Sequence, residues 1–464
     1  MATASAPRQN IPSPAIVPSR KSSVRLTLWP LVAATFFMVS GGTYGTEDIV
    51  HGAGYGRAIL ILLLTPILWS LPTAFMIGEL SSALPYEGGY YAWVRRAMGN
   101  FWGFQEAWLS LVASIFDMAI YPTLFVVYLT RMFPWFAEEH RGVMVGLAVV
   151  TVCVLLNIAG VRVVSTTSLW LFFALSAPFV VMVLFSPFKY AALLHAVTTP
   201  TTSKVDMVGG LLIAMWNYMG WDNASTIATE VERPQRTYPR AMLAAVGIVA
   251  LSYIVPVAAV WMTGLPVSAW ETGSWADIAG LLGGPLLRIG LVVGGMISAF
   301  GMFNALVMSY SRLPLAMAQD GMLPAVFGKL NRRRAPWVAI IVCAIGWAMC
   351  LGLGFERLVT IDILLYGTSL LLEFAALVVL RIREPKLRRQ FRVPGGLFGA
   401  IAVGITPTLL LGFSVVRSES EQVWGMSSFA FGMLLIGGGV VAYFLNHALK
   451  PAGWAPEQKP QPTA

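Results

Sequence analysis

Residues 40–48 read Ser40-Gly41-Gly42-Thr43-Tyr44-Gly45-Thr46-Glu47-Asp48 and interrupt the first apolar segment of this 464-residue chain. A second interruption lies in the sixth apolar segment and reads Trp216-Asn217-Tyr218-Met219-Gly220-Trp221-Asp222-Asn223. Both place glycine and polar groups at mid-membrane depth, where irregular backbone persists only when it faces protein or a water-filled cavity. Paired breaks five segments apart predict two repeated halves with a midplane site, and close helix packing through the glycines is the alternative.

The composition around these breaks is that of a membrane protein. Hydrophobic residues make up 57% and charged residues 11% of the chain, whereas soluble domains carry roughly 25% charged residues. This excludes a soluble enzyme, a disulfide scaffold, a disordered hub and a coiled coil. Twelve segments have about the length that spans a bilayer as a helix. They are predicted at 26–54, 57–83, 101–132, 143–160, 164–186, 206–231, 239–262, 285–317, 336–354, 358–381, 396–416 and 424–446.

The basic residues alternate between the two sides of this predicted topology. With a cytoplasmic N-terminus, 23 of the 31 Lys and Arg residues fall inside and 8 outside, the bias of cytoplasmic loops. The net charge of +9 therefore reflects topology and does not indicate nucleic-acid binding. We expect a multi-pass protein of the cytoplasmic (inner or plasma) membrane with both termini in the cytoplasm. A disordered tail at 1–24 and a second tail at 448–464 would flank a membrane domain at 25–447.

Carboxylates inside apolar segments are the candidate site residues, because a charge at the bilayer centre costs at least ~2.5–3.5 kcal/mol on insertion scales. Asp222 lies beside Trp221 and near two further aromatic residues of the second break. This setting suits an ammonium group through an ion pair and a cation–π contact, and helix capping is the alternative role. Glu47 and Asp48 begin the half-helix after the first break. There they favour a bound cation or simply offset the helix dipole.

Further acidic residues lie in other apolar segments. Asp117 precedes Tyr121 by four residues, so both lie on one helix face. Asp362 and Glu373 of the tenth segment are candidates for the cavity wall or for ion coupling. Glu79 and Glu106 lie nearer the cytoplasmic helix ends and predict ion pairs of a structural or gating kind. Neither metal-ligand spacing nor a phosphate loop occurs in the sequence, so we expect no cofactor apart from a coupling proton or sodium ion.

Four stretches resemble the amino acid–polyamine–organocation (APC) permeases. They are Ser40 to Asp48, Gly78-Glu79-Leu80-Ser81-Ser82-Ala83-Leu84-Pro85-Tyr86-Glu87-Gly88-Gly89-Tyr90-Tyr91-Ala92-Trp93-Val94, Asp320-Gly321-Met322-Leu323-Pro324 and Phe391-Arg392-Val393-Pro394-Gly395-Gly396. They span roughly residues 26–400 in the expected order. Residues 41–48, 101–105 with 117–122, and 217–222 resemble most closely the polyamine-uptake branch of these permeases.

The resemblance implies an all-α polytopic, LeuT-like fold that works by alternating access. Two inverted five-helix repeats would cover about 26–186 and 206–381, with discontinuous helices 1 and 6, and two extra helices would lie at about 396–446. The implied substrate-binding residues are Gly41, Gly42, Thr43, Asp117, Tyr121, Trp216, Asn217, Tyr218, Trp221 and Asp222. Some proton-coupled members carry a lysine in the fifth helix. Segment 164–186 has none, so proton coupling would have to use a carboxylate.

Three functions follow from these patterns, and none of them is enzymatic. The first is a secondary transporter, with symport as one mode, that takes up a cationic amine or amino acid, because the breaks carry Glu47, Asp48 and Asp222. The second is a neutral or broad-range amino acid permease or exchanger, in which Asp222 meets the α-amino group. The third is a channel or non-transporting sensor, although the sequence has no ring motif typical of a pore. The expected partners are a small amine or amino acid and the lipid bilayer.

Overall fold

The computed structural model describes residues 26–86, 88–188, 206–418, 422–423 and 425–448, and these residues are almost entirely helical. Helices of the first half are α1 (Leu28–Val39), α2 (Glu47–Ala53), α3 (Tyr55–Thr65), α4 (Leu71–Ala83), α5 (Gly89–Met98), α6 (Asn100–Met132), α7 (Glu139–Ala159) and α8 (Val161–Phe185). Helices of the second half are α9 (Met207–Asn217), α10 (Pro234–Trp261), α11 (Trp275–Tyr310), α12 (Arg312–Gln319), α13 (Trp337–Met349), α14 (Phe355–Arg383), α15 (Gly396–Ser418) and α16 (Ser428–Ala448).

Shorter elements join these helices. A π-helical turn, Pro66–Ser70, connects α3 to α4, so that Tyr55–Ala83 forms one continuous helical stretch. The 3₁₀ helices are Pro134–Ala137, Trp221–Glu230, Val267–Ala269 and Ala325–Gly328. Strands β1 (Gln422–Val423) and β2 (Met426–Ser427) form a small antiparallel hairpin before α16, with Gln422 opposite Ser427.

Nine helical stretches within the described ranges are long and apolar enough to cross a membrane. They are Tyr55–Ala83, Asn100–Met132, Glu139–Ala159, Trp170–Phe188, Pro234–Trp261, Trp275–Gln319, Arg357–Arg383, Gly396–Ser414 and Ser428–Ala448. The apolar helices α1 and α13 are shorter. The prediction of an all-α, polytopic membrane protein is therefore confirmed. The predicted tails, 1–24 and all but the first residue of 448–464, lie outside the described residues.

Both predicted interruptions are true breaks in a helix. α1 ends at Val39 and α2 begins at Glu47, and the intervening chain turns through Gly42 at φ 81° and Gly45 at φ 89°. These backbone angles favour glycine because it has no Cβ. α9 ends at Asn217, and after Gly220, at φ 86°, the chain continues as a 3₁₀ helix. Each break therefore leaves backbone groups free to contact other helices.

Helix α6 lies at the centre of the bundle, packed against α5, α11 and α14. Glycine permits the closest of these contacts, because a Cβ at Gly295 of α11 would lie only 2.6 Å from the Tyr128 ring of α6. The short helix α5 was not among the predicted segments. It lies beside α6 and α14, at the end of the bundle that carries Arg95, Arg96 and Arg381, here called the basic end.

Candidate functional site

A small cavity lies between the two helix breaks and is bounded by α6, α11 and α14. Its space open to the centre of a water molecule is about 20 Å³, room for roughly one water. Within the part of the chain that the structure describes, neither Lys nor Arg lines the cavity. The wall residues that bear on polar recognition are Gly41, Tyr44, Asp117, Tyr121, Trp216, Asn217, Gly220, Asn223, Tyr310 and Tyr366.

Asp117 supplies the negative charge in the wall of this cavity. Its Oδ1 accepts a hydrogen bond from the Tyr121 hydroxyl at 2.7 Å, and its Oδ2 accepts one from the Tyr310 hydroxyl at 3.1 Å. The predicted sharing of one helix face by Asp117 and Tyr121 is confirmed. The Tyr121 ring lies 6.3 Å from the Trp216 ring, and Trp216 packs edge-on against Phe355 at 5.3 Å. A carboxylate framed by aromatic rings suits an organic cation.

Asp222 lies just behind the cavity wall. It is 2% exposed, and its Oδ1 accepts a hydrogen bond from the Tyr366 hydroxyl at 2.5 Å. The Tyr366 oxygen also accepts a hydrogen bond from the Gly220 N–H at 3.0 Å. Tyr366 and Gly220 line the cavity and Asp222 does not. Tyr366 thus connects the second break to α14 and covers the Asp222 carboxylate.

Asp362 adds a third carboxylate close to this level of the bundle. It precedes Tyr366 by four residues on α14 and interacts electrostatically with both Asp117 and Asp222. It is 1% exposed, and neither of its oxygens has a hydrogen-bond partner among the described residues. A buried charge without a partner is costly, so this position is suited to a cation that enters the site.

The first break contributes less to the cavity than the resemblance implied. Gly41 lines the cavity, and its carbonyl accepts a hydrogen bond from Ser298 Oγ at 2.5 Å. The Gly42 N–H donates to Ser40 Oγ at 3.1 Å, and the Thr43 carbonyl accepts from the Trp275 indole at 3.1 Å. These backbone groups are therefore occupied by protein contacts in this conformation.

Glu47 and Asp48 hold the first break to the segment that precedes α11. Glu47 is fully buried, and its carboxylate accepts hydrogen bonds from the Gly45 N–H at 2.6 Å, the Gly273 N–H at 3.2 Å and the Tyr128 hydroxyl. The Asp48 oxygens accept from Thr272 Oγ1 at 2.9 and 3.0 Å. Neither acid lines the cavity.

Two further members of the predicted set pack outside the cavity. The Tyr218 hydroxyl donates to the Leu62 carbonyl at 2.9 Å, and the Trp221 indole donates to the Tyr218 carbonyl at 2.7 Å. Both side chains are fully buried. They stabilise the irregular backbone of the second break against α3. Of the predicted set, Gly41, Asp117, Tyr121, Trp216 and Asn217 lie together in the cavity wall.

The basic end of the bundle is closed over the cavity by ion pairs. Glu79 accepts hydrogen bonds from Arg381, at 2.9 Å to Nε, and forms an ion pair with Arg389 at 3.1 Å. Glu79 is 0% exposed and both arginine side chains are 3% exposed. The predicted ion pair of Glu79 is confirmed. That of Glu106 is wrong within the described residues, because its Oε1 accepts from Ser369 at 2.7 Å instead.

A second charged contact reinforces this closure. Arg96 of α5 forms an ion pair with Glu384 at 2.7 Å and donates to the Tyr86 hydroxyl at 2.6 Å. The hydrogen bond to Glu384 raises the pKa of Arg96, so the guanidinium stays charged. Arg95 pairs with Asp320 at 2.5 Å, which ties α5 to the segment after α12.

The opposite end of the bundle is closed by a different set of contacts. Arg131 at the end of α6 pairs with Asp277 at 2.9 Å and Glu271 at 2.8 Å, and donates to the Thr272 carbonyl at 2.7 Å. Arg288 of α11 also pairs with Asp277 at 2.9 Å. Ion pairs thus join the helices at both ends of the bundle.

Comparison with known proteins agrees with this architecture. The sequence profile of a family described as amino acid permease matches residues 32–437. The chain belongs to the amino acid permease family. The permease is 36% identical to polyamine transporter RMV1 of Arabidopsis thaliana, over 86% of its own length and 82% of the relative. It is 34% identical to polyamine transporter PUT1 of Oryza sativa subsp. japonica, over 90% of its own length and 79% of the relative. It is 24% identical to the serine/threonine exchanger SteT of Bacillus subtilis, over 85% of its own length and 92% of the relative.

The family assignment confirms the resemblance to APC permeases and makes the protein a transporter of amino acids or polyamines, not an enzyme. Sequence reasoning missed two tyrosines of the permease, Tyr310 and Tyr366. Tyr366 follows Asp362 by four residues, the same spacing as Tyr121 after Asp117, and that repetition was a usable signal. Tyr310 had no such signal, because its carboxylate partner lies on another helix.

Proposed function

We propose that this permease is a secondary transporter that takes up polyamines across the cytoplasmic membrane. The observation that carries the proposal is the gathering of Asp117, Asp222 and Asp362 around a cavity that no described Lys or Arg lines. Three acidic groups favour a substrate with more than one ammonium group and repel the carboxylate of an amino acid. Two plant relatives are named polyamine transporters, which supports the same substrate class.

Each residue in or near the cavity wall then has a distinct role in the proposed site. Asp117 and Asp362 would pair with ammonium groups, and Asp222 would act from behind Tyr366. The rings of Tyr121 and Trp216 would contact the alkyl chain and the cationic ends. Asn217 and the Gly41 backbone would complete the polar wall. Glu47 and Asp48 would act less directly, by fixing the first break.

The finer architecture is part of the same proposal. Broken spans formed by α1 with α2 and by α9 with the following 3₁₀ helix, together with α13, would raise the nine candidate spans to twelve. Two inverted repeats at about 26–186 and 206–381 then place the breaks in matching positions. The arginines of the basic end favour a cytoplasmic location for that end and for both termini.

Alternating access would proceed by opening one closed end at a time. Opening the basic end requires Glu79 to separate from Arg381 and Arg389. Opening the other end requires Arg131 to release the segment around Asp277. Substrate shifts this equilibrium only if it binds the occluded form more tightly than the open forms. The carboxylates around the cavity would supply that difference once they contact the ammonium groups.

The driving force need not come from a second ion. Each positive charge that moves inward across 100 mV gains ~2.3 kcal/mol, so a diamine gains about twice this amount. Where a coupling proton or sodium ion is used, it would bind a carboxylate, with Asp362 and Glu373 as the candidates. Segment 164–186 offers no lysine for that role.

Uptake by purified protein in lipid vesicles tests the proposal. Radiolabelled putrescine, spermidine, serine and arginine are compared under an inside-negative potential. We expect saturable uptake of polyamines, with competition by unlabelled polyamines and little by serine. Preferred uptake of serine would instead indicate an amino acid exchanger. Ion currents without saturable uptake would indicate a channel, and either result would refute polyamine transport.

A further inference from the structure

Two helices of the bundle centre present carboxylates at two matching levels. Asp117 and Glu106 lie eleven residues apart on α6, and Asp362 and Glu373 lie eleven residues apart on α14. Eleven residues make about three helical turns, or roughly 16 Å, so each pair shares one helix face. Ser110 of α6 contacts Ser369 of α14 at 3.0 Å, which places the two faces against each other. The aspartates lie at the level of the cavity and the glutamates nearer the basic end.

Glu106 and Glu373, here called the glutamate pair, lie close together, because Ser369 donates to Glu106 Oε1 and precedes Glu373 by one turn of α14. Both side chains are 0% exposed. Glu106 Oε1 accepts hydrogen bonds from Ser369 at 2.7 Å and from Ser110 at 3.3 Å. Glu106 Oε2 and both oxygens of Glu373 have no hydrogen-bond partner within the described ranges. Two adjacent buried carboxylates with unpartnered oxygens point to a positive charge that binds there.

The groups that face the glutamate pair are acidic or phenolic. Tyr90 of α5, Asp222 of the second break and Tyr366 of α14 interact electrostatically with Glu373. On α14 itself, Arg381 lies two turns further on and is bound to Glu79 of α4. Helix α15 carries no ionisable side chain from Gly396 to Ser414, and α16 carries only Tyr443 and His447, both near its C-terminal end. Arg95 and Arg96 of α5 are likewise bound to other acids, so none of these described groups supplies a positive charge to the glutamate pair.

The space around the glutamate pair selects the kind of cation. The cavity wall contains neither Glu106 nor Glu373, and no atom of either side chain is open to solvent. A proton needs no cavity, whereas an ammonium group or a metal ion does. Asp117, Asp222 and Asp362 together with the glutamate pair also offer five acidic groups, more than a diamine or triamine neutralises. Substrate and a proton can therefore be bound at the same time.

We propose that the glutamate pair binds a coupling proton that this permease carries inward together with its substrate. A proton from the outer solution forms an O–H bond with one carboxylate of the pair while substrate binds at the aspartates. The same O–H bond breaks when the basic end opens, and the proton leaves to the cytoplasm. Asp222 lies between the two levels and couples them, because its charge interacts with Asp117 and with both glutamates. This inference rests on the proposed polyamine transport.

Two assays of spermidine transport by reconstituted protein test whether the glutamate pair binds a coupling proton. In the first, the membrane potential is held at zero with potassium and valinomycin, and a gradient of one pH unit, acid outside, is imposed. Wild-type protein should then accumulate spermidine up to about tenfold for each coupled proton. In the second, labelled spermidine outside exchanges for unlabelled spermidine inside, which requires no net release of a proton.

Glu373→Gln removes the proton site while it keeps the shape of the side chain. We expect this variant to lose accumulation driven by the pH gradient and to retain exchange, and Glu106→Gln to show the same split. Glu139→Gln, at an exposed position on α7, is the matched control and should behave as wild type. Retained exchange by Glu373→Gln shows that this variant is folded, and Glu106→Gln is an independent second test of the proton site.

Each of the other possible results of these assays would refute the proton site, proton coupling or polyamine transport. Accumulation driven by the pH gradient in both glutamine variants would overturn the proton site. Loss of exchange in both variants, with thermal unfolding like that of wild type, would assign the pair to substrate binding and would equally overturn it. Wild-type exchange without any effect of the pH gradient would refute proton coupling and leave polyamine transport standing. Failure of wild-type protein to exchange any polyamine would refute the proposed function itself.

Discussion

Asp222 connects the second helix break to α14, just behind the cavity wall. Its carboxylate is held by the Tyr366 hydroxyl, which also accepts a hydrogen bond from the Gly220 N–H. Asp117 is held in a similar way by two tyrosine hydroxyls. Hydroxyl donors keep these acids in place without neutralising them, so their negative charge remains available to a cationic substrate.

Asp222→Asn tests the charge of this residue. The amide oxygen can still accept the Tyr366 hydrogen bond, so folding should be retained while attraction for ammonium is lost. A hydrogen bond or ion pair to a charged group contributes ~1.5–3 kcal/mol, so kcat/KM for spermidine should fall roughly 10- to 150-fold. Tyr366→Phe keeps the negative charge and should cost less. Unchanged spermidine uptake by Asp222→Asn would exclude a role of this charge in recognition.

At the scale of elements, the two breaks depend on glycine at particular backbone positions. Gly220 has φ 86°, and a Cβ there would lie 2.7 Å from the Met38 carbonyl oxygen of α1. The second break therefore packs directly on the first half of the bundle through a position that excludes any side chain. By contrast, nothing lies within 4 Å of a Cβ built on Gly247 of α10.

Gly220→Ala and Gly247→Ala form a matched pair that tests this packing. Gly220→Ala should abolish transport or prevent folding, because alanine is strained at positive φ and the Met38 backbone cannot move aside cheaply. Gly247→Ala should retain transport and gain slightly in stability, because alanine favours a helix interior by roughly 1 kcal/mol. Thermal unfolding and uptake measure both effects. Wild-type transport by Gly220→Ala would refute a tightly packed break.

The sequence was sufficient to predict the breaks and most helices, but not their partners. Clustered glycine and polar residues at 40–48 and 216–223 stand out against apolar surroundings, so they are visible locally. Helix α5 was missed because its ten residues include Arg95 and Arg96 and are too short to span a membrane. Glu79 and Glu106 looked alike in the sequence. Only the tertiary fold brings Arg389 to Glu79 and leaves Glu106 with serines.

At the scale of the whole molecule, closure of the basic end rests on the buried ion pairs of Glu79. Glu79→Gln should destabilise the occluded state strongly, because it leaves Arg381 and Arg389 buried without a counter-charge, at a cost of roughly 3–5 kcal/mol. Glu384→Gln is the control, since its pair with Arg96 is partly exposed and contributes at most about 1 kcal/mol. Thermal unfolding in detergent compares them. Equal melting temperatures for the two variants would contradict a closing role for Glu79.

The central claim is that buried carboxylates between two helix breaks recognise a polycationic substrate. Exchange of radiolabelled spermidine by purified protein in vesicles, measured for wild type, Asp222→Asn and Glu139→Gln, tests it most directly. We expect saturable exchange by wild type and Glu139→Gln, and at least a tenfold loss of kcat/KM in Asp222→Asn. Exchange of serine without exchange of spermidine by wild type, or wild-type spermidine exchange by Asp222→Asn, would contradict it.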